Sequence, residues 1–260
     1  MPESSPLSDL RRVRLIRVLP LLLAVLAAAC GGGGTRTEQP AARPVSNPVD
    51  PATAGTISGR ITLVGTPPAP QPVKTASDPN CKAPVTKADV VVGSNAALQD
   101  VFVYVKDGLG TLVFPVPSQP VILSQEGCTY RPHVLGIQVG QTLELVNGDD
   151  TLHNIHAVPK NNGEFNVGQQ FKGFKNTHVF STKEVMVPFK CDVHKWMSAY
   201  VGVVDHPFFA VTGADGSFEL KGLPPGTYTI EAVHETLGTQ TQSVTLAAQG
   251  SQSMSFSFKI

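Results

Sequence analysis

The chain has 260 residues, 41% of them hydrophobic, and equal numbers of basic and acidic side chains give a formal net charge of zero at pH 7. This length and apolar content are sufficient for one or two domains with their own hydrophobic cores. The sequence contains no basic patch and no basic run interleaved with aromatic residues. We therefore expect no nucleic-acid partner.

The N-terminal residues have the composition of an export signal. A region with four arginines precedes an apolar run at residues 19–29, which is too short to span a bilayer and ends in three alanines. We predict that residues 1–29 are a signal peptide and that the protein is exported. Its removal leaves 16 basic and 18 acidic residues, so the mature chain is nearly neutral.

Cys30 directly follows the three alanines, and the run LAAAC followed by GGGG resembles a bacterial lipoprotein signal. The resemblance implies lipidation of Cys30 and a membrane-anchored protein of the periplasm or cell surface. Ordinary signal-peptidase cleavage stays open, because the usual leucine three positions before the cysteine is absent. Residues 30–54 are rich in Gly, Thr, Pro and Ala and have few large apolar side chains, which predicts a flexible tether.

From residue 55 onward the sequence predicts an all-β protein. Short alternating runs are separated by Gly, Pro and Asn turns, and no convincing long amphipathic helix is present. GTISGRITLVG near the start, together with ADGSFELKGLPPGTYTIEAVH and the C-terminal strands, resembles the carboxypeptidase regulatory-like domain, a small sandwich of seven strands. In that family the first of these strands is soon followed by one like LQDVFVYVKDG and then by the ADG-x-F segment, whereas here about a hundred residues intervene between the last two.

A candidate metal site lies within this intervening segment. Cys191, His194 and Met197 follow one another at intervals of three in a short loop that interrupts two strand patterns. A type 1 copper site needs one thiolate, two imidazoles and a weak axial thioether, so one imidazole must come from elsewhere. The candidates are His153 and His156 in NGDDTLHNIHA, which point to opposite faces of an extended segment. We predict His153 as the ligand and His156 as a surface or supporting residue.

The combination of HN-x-H with a later C-x2-H-x2-M resembles the cupredoxins, most closely the amicyanin and plastocyanin-like blue copper proteins. The resemblance implies one type 1 copper ion held by His153, Cys191, His194 and Met197. It also implies that Asn154 helps to hold the cysteine loop. A buried cysteine beside an incidental histidine and a core methionine is the metal-free alternative.

The resemblance further implies an electron-transfer face. In this family the ring edge of the histidine between the cysteine and the methionine, here His194, lies near the surface. Trp196 either forms the apolar rim of this face or covers the core. Lys195 stands where the family commonly has proline, which favours an acidic redox partner protein.

Together the two resemblances predict a Greek-key cupredoxin sandwich at residues 118–206. It would be inserted in, or packed on, a second Ig-like or prealbumin-like β-sandwich split between residues 55–117 and 207–260. One enlarged sandwich with shared strands is the alternative.

With Cys30 at the leader junction and Cys191 at the metal, Cys81 and Cys128 remain, and in an exported chain these two most simply form a disulfide. Two unpaired thiols are the alternative.

Three functions are compatible with these features. We favour an exported blue copper electron-transfer protein without catalytic turnover. A periplasmic copper-binding or delivery protein and a metal-free binding module at the cell surface are the alternatives. A binuclear purple copper site would need a second cysteine in the loop, and a multicopper oxidase would need several H-x-H pairs; neither is present.

Overall fold

The computed structural model describes residues 45–82 and 84–260. The predicted signal peptide, Cys30 and the tether up to residue 44 lie outside the described residues. Within the described part, the prediction of an all-β fold is confirmed, and the only helix is a single 3-10 turn at Ser94–Ala96. No helix in this part is long and apolar enough to cross a membrane.

The strands form four main sheets and one small two-stranded sheet. The first nine strands are β1 (Gly55–Val64), β2 (Gln71–Pro72), β3 (Thr86–Lys87), β4 (Phe102–Asp107), β5 (Val121–Gln125), β6 (Tyr130–Arg131), β7 (Val134–Gln138), β8 (Thr142–Asn147) and β9 (His153–Ala157). The remaining strands are β10 (Phe165–Gln169), β11 (Lys175–Val179), β12 (Glu184–Lys190), β13 (Ser198–Val204), β14 (Phe209–Val211), β15 (Ser217–Leu223), β16 (Gly226–His234), β17 (Gly238–Leu246) and β18 (Ser251–Lys259).

Strands from the two ends of the chain form the first pair of sheets. Their orders are β15-β1-β18 and β14-β4-β16-β17, and β1 runs parallel to β18. In β18, buried Met254, Phe256 and Phe258 alternate with exposed serines, as expected for a strand with one face in the core. These side chains share one hydrophobic core with residues of β1, β4, β15 and β16.

The middle of the chain forms the second pair of sheets, in the orders β10-β9-β12-β13-β7 and β11-β8-β5-β6. Their facing side chains fill a separate core that also contains Cys191 and Met197. The chain enters this pair after β4 and leaves it after β13. The domain boundaries stay a prediction.

A smaller apolar cluster lies where the two pairs of sheets meet. Phe102 and Tyr104 of β4 are buried there with Val134 of β7 and Val204 of β13. Gly202 admits this contact, because a Cβ atom at its position would lie 2.4 Å from the ring of Phe102. The two pairs of sheets therefore pack against each other through this third cluster.

The described residues 71–82 and 84–87, which run from β2 to β3, are here named the cap. β2 and β3 pair only with each other, through Gln71 with Lys87 and Pro72 with Thr86. The cap carries Asp78, which contacts His194 in the loop between β12 and β13, and Cys81, which is bonded to Cys128 in the loop between β5 and β6. A segment that precedes β4 thus reaches the loop between β12 and β13.

Candidate metal centre

The four predicted ligands lie at one end of the sheet that contains β9, β12 and β13. His153 is the first residue of β9, and Cys191 directly follows β12. β9 and β12 are paired through Ala157 with Phe189 and through His156 with Lys190. This pairing brings residues that are 38 positions apart, His153 and Cys191, to the same end of the sheet.

The donor atoms of His153, Cys191 and His194 all lie within 4.8 Å of one another. The two histidine Nδ1 atoms are 2.9 Å apart. His194 donates its backbone N–H to the Cys191 sulfur at 3.3 Å, and Met197 N–H donates to the His194 carbonyl at 2.9 Å. All four side chains are buried, with at most 2% of each residue exposed. The structure thus places Met197 in the same core, directly after the turn that carries His194.

Asn154 contacts the cysteine loop in the way the cupredoxin resemblance implies. Its Oδ1 accepts hydrogen bonds from the backbone N–H groups of Asp192 at 2.6 Å and Val193 at 3.4 Å. Its Nδ2 donates to Asn166 at 2.7 Å. The amide thereby links β9 and β10 to the first residues after Cys191.

His156 lies outside the donor cluster. Its Nδ1 contacts Asp192 at 2.8 Å and its Nε2 contacts Glu164 at 2.7 Å. Both carboxylates are substantially exposed. His156 therefore forms a surface ion-pair group, while His153 faces Cys191 and His194.

Each of the two clustered imidazoles has its own carboxylate partner on the side away from the cluster. His153 donates from Nε2 to Asp149 at 2.9 Å, and His194 donates from Nε2 to Asp78 at 2.9 Å. An ionised carboxylate only accepts hydrogen bonds, so each Nε2 carries the proton. The two Nδ1 atoms, which face each other at 2.9 Å, are then left to share a proton or to bind a cation.

Local hydrogen bonds favour the charged form of both carboxylates. Burial by itself would raise the pKa of Asp149, but hydrogen bonds from the Cys128 amide, His153 and the Gly127 amide outweigh it and lower this pKa. The hydroxyl of Thr151 and the Asn80 amide lower the pKa of Asp78. Burial lowers the pKa of His153 despite its bond to Asp149, which favours the neutral imidazole.

The donor set fits a soft or borderline transition-metal ion. A thiol, two imidazole nitrogens and a thioether suit copper, whereas Ca²⁺ and Mg²⁺ prefer oxygen ligands. Two facing nitrogen lone pairs 2.9 Å apart in a buried site repel each other unless a proton or a cation lies between them. The cluster therefore has the composition and polarity of a cation site.

The predicted disulfide between Cys81 and Cys128 is present, with a Cα–Cα distance of 5.6 Å. It lies against the metal-ligand candidates, because the Cys81 sulfur is 3.7 Å from Nε2 of His194. Cys128 also accepts a hydrogen bond from the Trp196 indole at its carbonyl, at 2.9 Å. The bridge thus joins the cap to the neighbourhood of the cysteine loop.

The ring edge of His194, which the resemblance places near the surface, is covered in this structure. Only 3% of its side chain is exposed, because Asp78 and Cys81 of the cap cover the Nε2 edge. Trp196 is half-buried, and its ring centroid lies 5.0 Å from that of His194. Of the two residues predicted for the electron-transfer face, only Trp196 reaches the surface.

The sequence prediction did not include Asp78 and Asp149. Asp149 belongs to the turn NGDD and lies four residues before His153, so its proximity to a ligand could have been predicted from this short separation. Asp78 lies 116 residues before His194, in a turn of the kind that occurs in many loops. No local pattern distinguishes it.

The carboxypeptidase regulatory-like domain matches residues 198–259. A search of curated protein sequences finds no match. Among solved structures, a copper-containing nitrite reductase from Thermus scotoductus SA-01 is 20% identical, with a TM-score of 0.32 over 38% of this chain. The chain spans only 26% of that enzyme.

Two small copper proteins are also similar to part of the chain. A mutant of amicyanin in the Cu(I) form is 21% identical over 34% of this chain and 85% of its own, with a TM-score of 0.30. A purple cupredoxin from Nitrosopumilus maritimus is 26% identical over 32% of this chain and 98% of its own, with a TM-score of 0.28. TM-scores this low carry no inference about function.

Proposed function

We propose that the chain is an exported type 1 copper electron-transfer protein that holds one copper ion with His153, Cys191, His194 and Met197. The observation that carries the proposal is the pair of facing Nδ1 atoms, 2.9 Å apart, next to the Cys191 sulfur. Both Nε2 atoms are hydrogen-bonded to carboxylates, which leaves the two Nδ1 atoms and the Cys191 sulfur to bind an ion in one buried cluster.

The protein residues hold this donor set in place before a metal ion binds. β9 and β12 fix His153 and Cys191 through their pairing, and Asn154 holds the start of the loop. A copper ion bound there supplies one-electron redox chemistry. A rigid sandwich limits movement of the ligands, which lowers the reorganisation that slows electron transfer. Because the thiol must lose its proton to bind, we expect copper uptake to release a proton.

The cap affects how electrons and metal reach the site. Because His194 is covered, electron exchange has to pass through the covering residues, and half-buried Trp196 lies against its ring. A delivery protein must let an acceptor replace its ligands, and a covered site with a disulfide across it opposes such replacement. The geometry therefore favours electron transfer over copper delivery.

The remaining parts of the proposal come from the sequence. We infer a signal peptide at residues 1–29 and an anchor at Cys30 that keeps the protein at a membrane in the periplasm or at the cell surface. Its partners would be redox proteins, and it would have no catalytic turnover of its own. Exposed Lys195 next to His194 favours an acidic surface on the partner.

Copper titration of the full-length chain tests the proposal. Wild-type protein is expected to bind one equivalent of Cu(II) and to develop the intense visible absorption of a Cu(II)-thiolate charge-transfer transition. Cys191→Ser should abolish this absorption. His153→Asn should also abolish it, whereas the matched control His156→Asn, three residues further along the same strand, should retain it.

Retention of the absorption in Cys191→Ser, or its absence from wild-type protein loaded with copper, would refute the type 1 site. Reversible voltammetry of the loaded protein, with slow copper loss to a chelator, supports electron transfer. Rapid and complete loss to the chelator without a reversible wave would instead identify a delivery protein.

A further inference from the structure

Asp78 is the one charged residue that the cap contributes to the edge of the metal site. Its Oδ2 accepts the His194 Nε2–H at 2.9 Å and the Thr151 hydroxyl at 2.6 Å. Its Oδ1 accepts the Asn80 amide at 2.8 Å. Only 15% of its side chain is exposed. The carboxylate is thus held by three donors, and the imidazole is one of them.

The disulfide connects this carboxylate to the one that holds the other imidazole. Cys81 donates its backbone N–H to the Asp78 carbonyl at 3.1 Å, which closes the turn around Asp78. Across the disulfide, Cys128 donates its N–H to Asp149 Oδ2 at 2.8 Å, and Asp149 accepts from His153. One covalent bridge therefore links the supports of both imidazoles.

We propose that Asp78 is a positioning residue of the metal centre, which holds His194 with Nδ1 directed at Cys191 and His153 and which favours Cu(II) over Cu(I). The part that concerns copper rests on the proposed function; the part that concerns the imidazole does not.

Two physical effects follow from the contact. The hydrogen bond fixes the tautomer and the plane of the ring, so that His194 does not have to reorient when the ion binds. The negative charge next to the ring makes Nδ1 a stronger donor, and it stabilises the doubly charged cation more than the singly charged one. We therefore expect Asp78 to lower the reduction potential of the site.

Three variants separate these effects from a role in folding alone. Asp78→Ala removes both the acceptor and the charge, while Asp78→Asn keeps an acceptor oxygen and removes the charge. Asp89→Ala is the control, because Asp89 lies just after the cap, is half-exposed and pairs only with Lys87 at 3.2 Å.

The first measurement uses the metal-free, full-length protein. Long-range proton–nitrogen NMR distinguishes the two imidazole tautomers. Wild type, Asp78→Asn and Asp89→Ala should each show a fully protonated His194 Nε2, whereas Asp78→Ala should show a mixture in which part of the protein has an unprotonated Nε2. A fully protonated Nε2 in folded Asp78→Ala, as in wild type, would overturn the positioning role.

The second measurement is copper affinity in both oxidation states. Loss of a supporting residue typically weakens metal binding by about 10- to 100-fold, and we expect a loss in this range for Cu(II) in Asp78→Ala. The ratio of Cu(II) to Cu(I) affinity should fall in both Asp78 variants, with a matching rise in potential. Values within twofold of Asp89→Ala in both Asp78 variants would overturn the copper part.

If Asp78→Ala fails to fold, the affinity ratio of Asp78→Asn decides the proposal. Wild-type protein that binds no copper would refute the proposed function and leave the tautomer result to stand by itself. Wild-type protein that binds copper normally, beside Asp78 variants that match the control, would refute only this inference.

Discussion

The two sides of the His194 ring are built in different ways. The Nδ1 side faces His153 and Cys191, which come from paired strands of one sheet and from the loop that follows. The Nε2 side faces Asp78 and Cys81, which come from a cap that precedes β4 and belongs to no main sheet.

This difference shows that ligand identity and ligand environment have separate origins in the chain. The ligands depend on short spacings and on the register of neighbouring strands. The surroundings of the His194 Nε2 atom depend on the cap, which is held by a disulfide, so they can change without any change in the ligands. The expectation of a His194 ring edge near the surface was wrong because it took account of the ligands and not of the cap.

The largest effect on the cap should follow removal of the disulfide. Because Cys81 and Cys128 are 47 positions apart in the sequence, the double variant Cys81→Ala/Cys128→Ala should lose about 4 kcal/mol of unfolding free energy in the chain-entropy model. We expect the Cu(II)-thiolate absorption to persist, since the ligands lie on the other side of the ring. Denaturant unfolding and visible spectroscopy measure the two results.

Reduction of the wild-type disulfide is the control for this variant. It should produce a similar loss of stability, while the double variant should be insensitive to the reductant. Disappearance of the charge-transfer absorption in the double variant would contradict the prediction, because the cap would then be required to form the site.

A smaller effect should follow Thr151→Val, which removes the hydroxyl that donates to Asp78 at 2.6 Å. A hydrogen bond to a charged group contributes about 1.5 to 3 kcal/mol, and partial exposure places our expectation near the lower value. Thermal or denaturant unfolding of the metal-free protein measures it. Thr75→Val, at a cap threonine without a side-chain hydrogen bond in the described structure, is the control, and equal losses in the two variants would contradict the prediction.

The smallest effect should follow Trp196→Phe. The substitution keeps an aromatic ring beside His194 but removes the indole N–H that donates to the Cys128 carbonyl at 2.9 Å. A neutral hydrogen bond contributes about 1 kcal/mol, so we expect a loss of about this size in denaturant unfolding. In the double cysteine variant the same substitution should cost less, because the carbonyl is then less firmly held. An equal cost in both backgrounds would show that the loop and the cap are independent.

Much of the fold was predictable because strand patterns are local. The alternation in β18 and the apolar positions of β12 at Val187 and Phe189 correspond to buried residues. Met186 departs from the pattern, since its φ of 60° and a register shift form a bulge in β12. A bulge depends on the partner strand, so the sequence of β12 alone did not indicate it.

The pairing of strands that are distant in the sequence was harder to predict. β1 lies parallel to β18, with Thr56 opposite Ser251 and Val64 opposite Lys259. Such a pair is selected by the packing of both strands on one core, and not by any turn between them. The domain boundaries proposed from family resemblance accordingly remain a prediction.

Local residue patterns predicted the all-β class, the ligand candidates and, as the simplest pairing, a disulfide between the two remaining cysteines. These features follow from residue types at short spacings and from a count of four cysteines. The folded chain was needed to bring Asp78 to His194 and to place the cap over this imidazole. Asp78 and His194 are 116 positions apart, and a hydrogen bond between them forms only when the folded core has placed both segments.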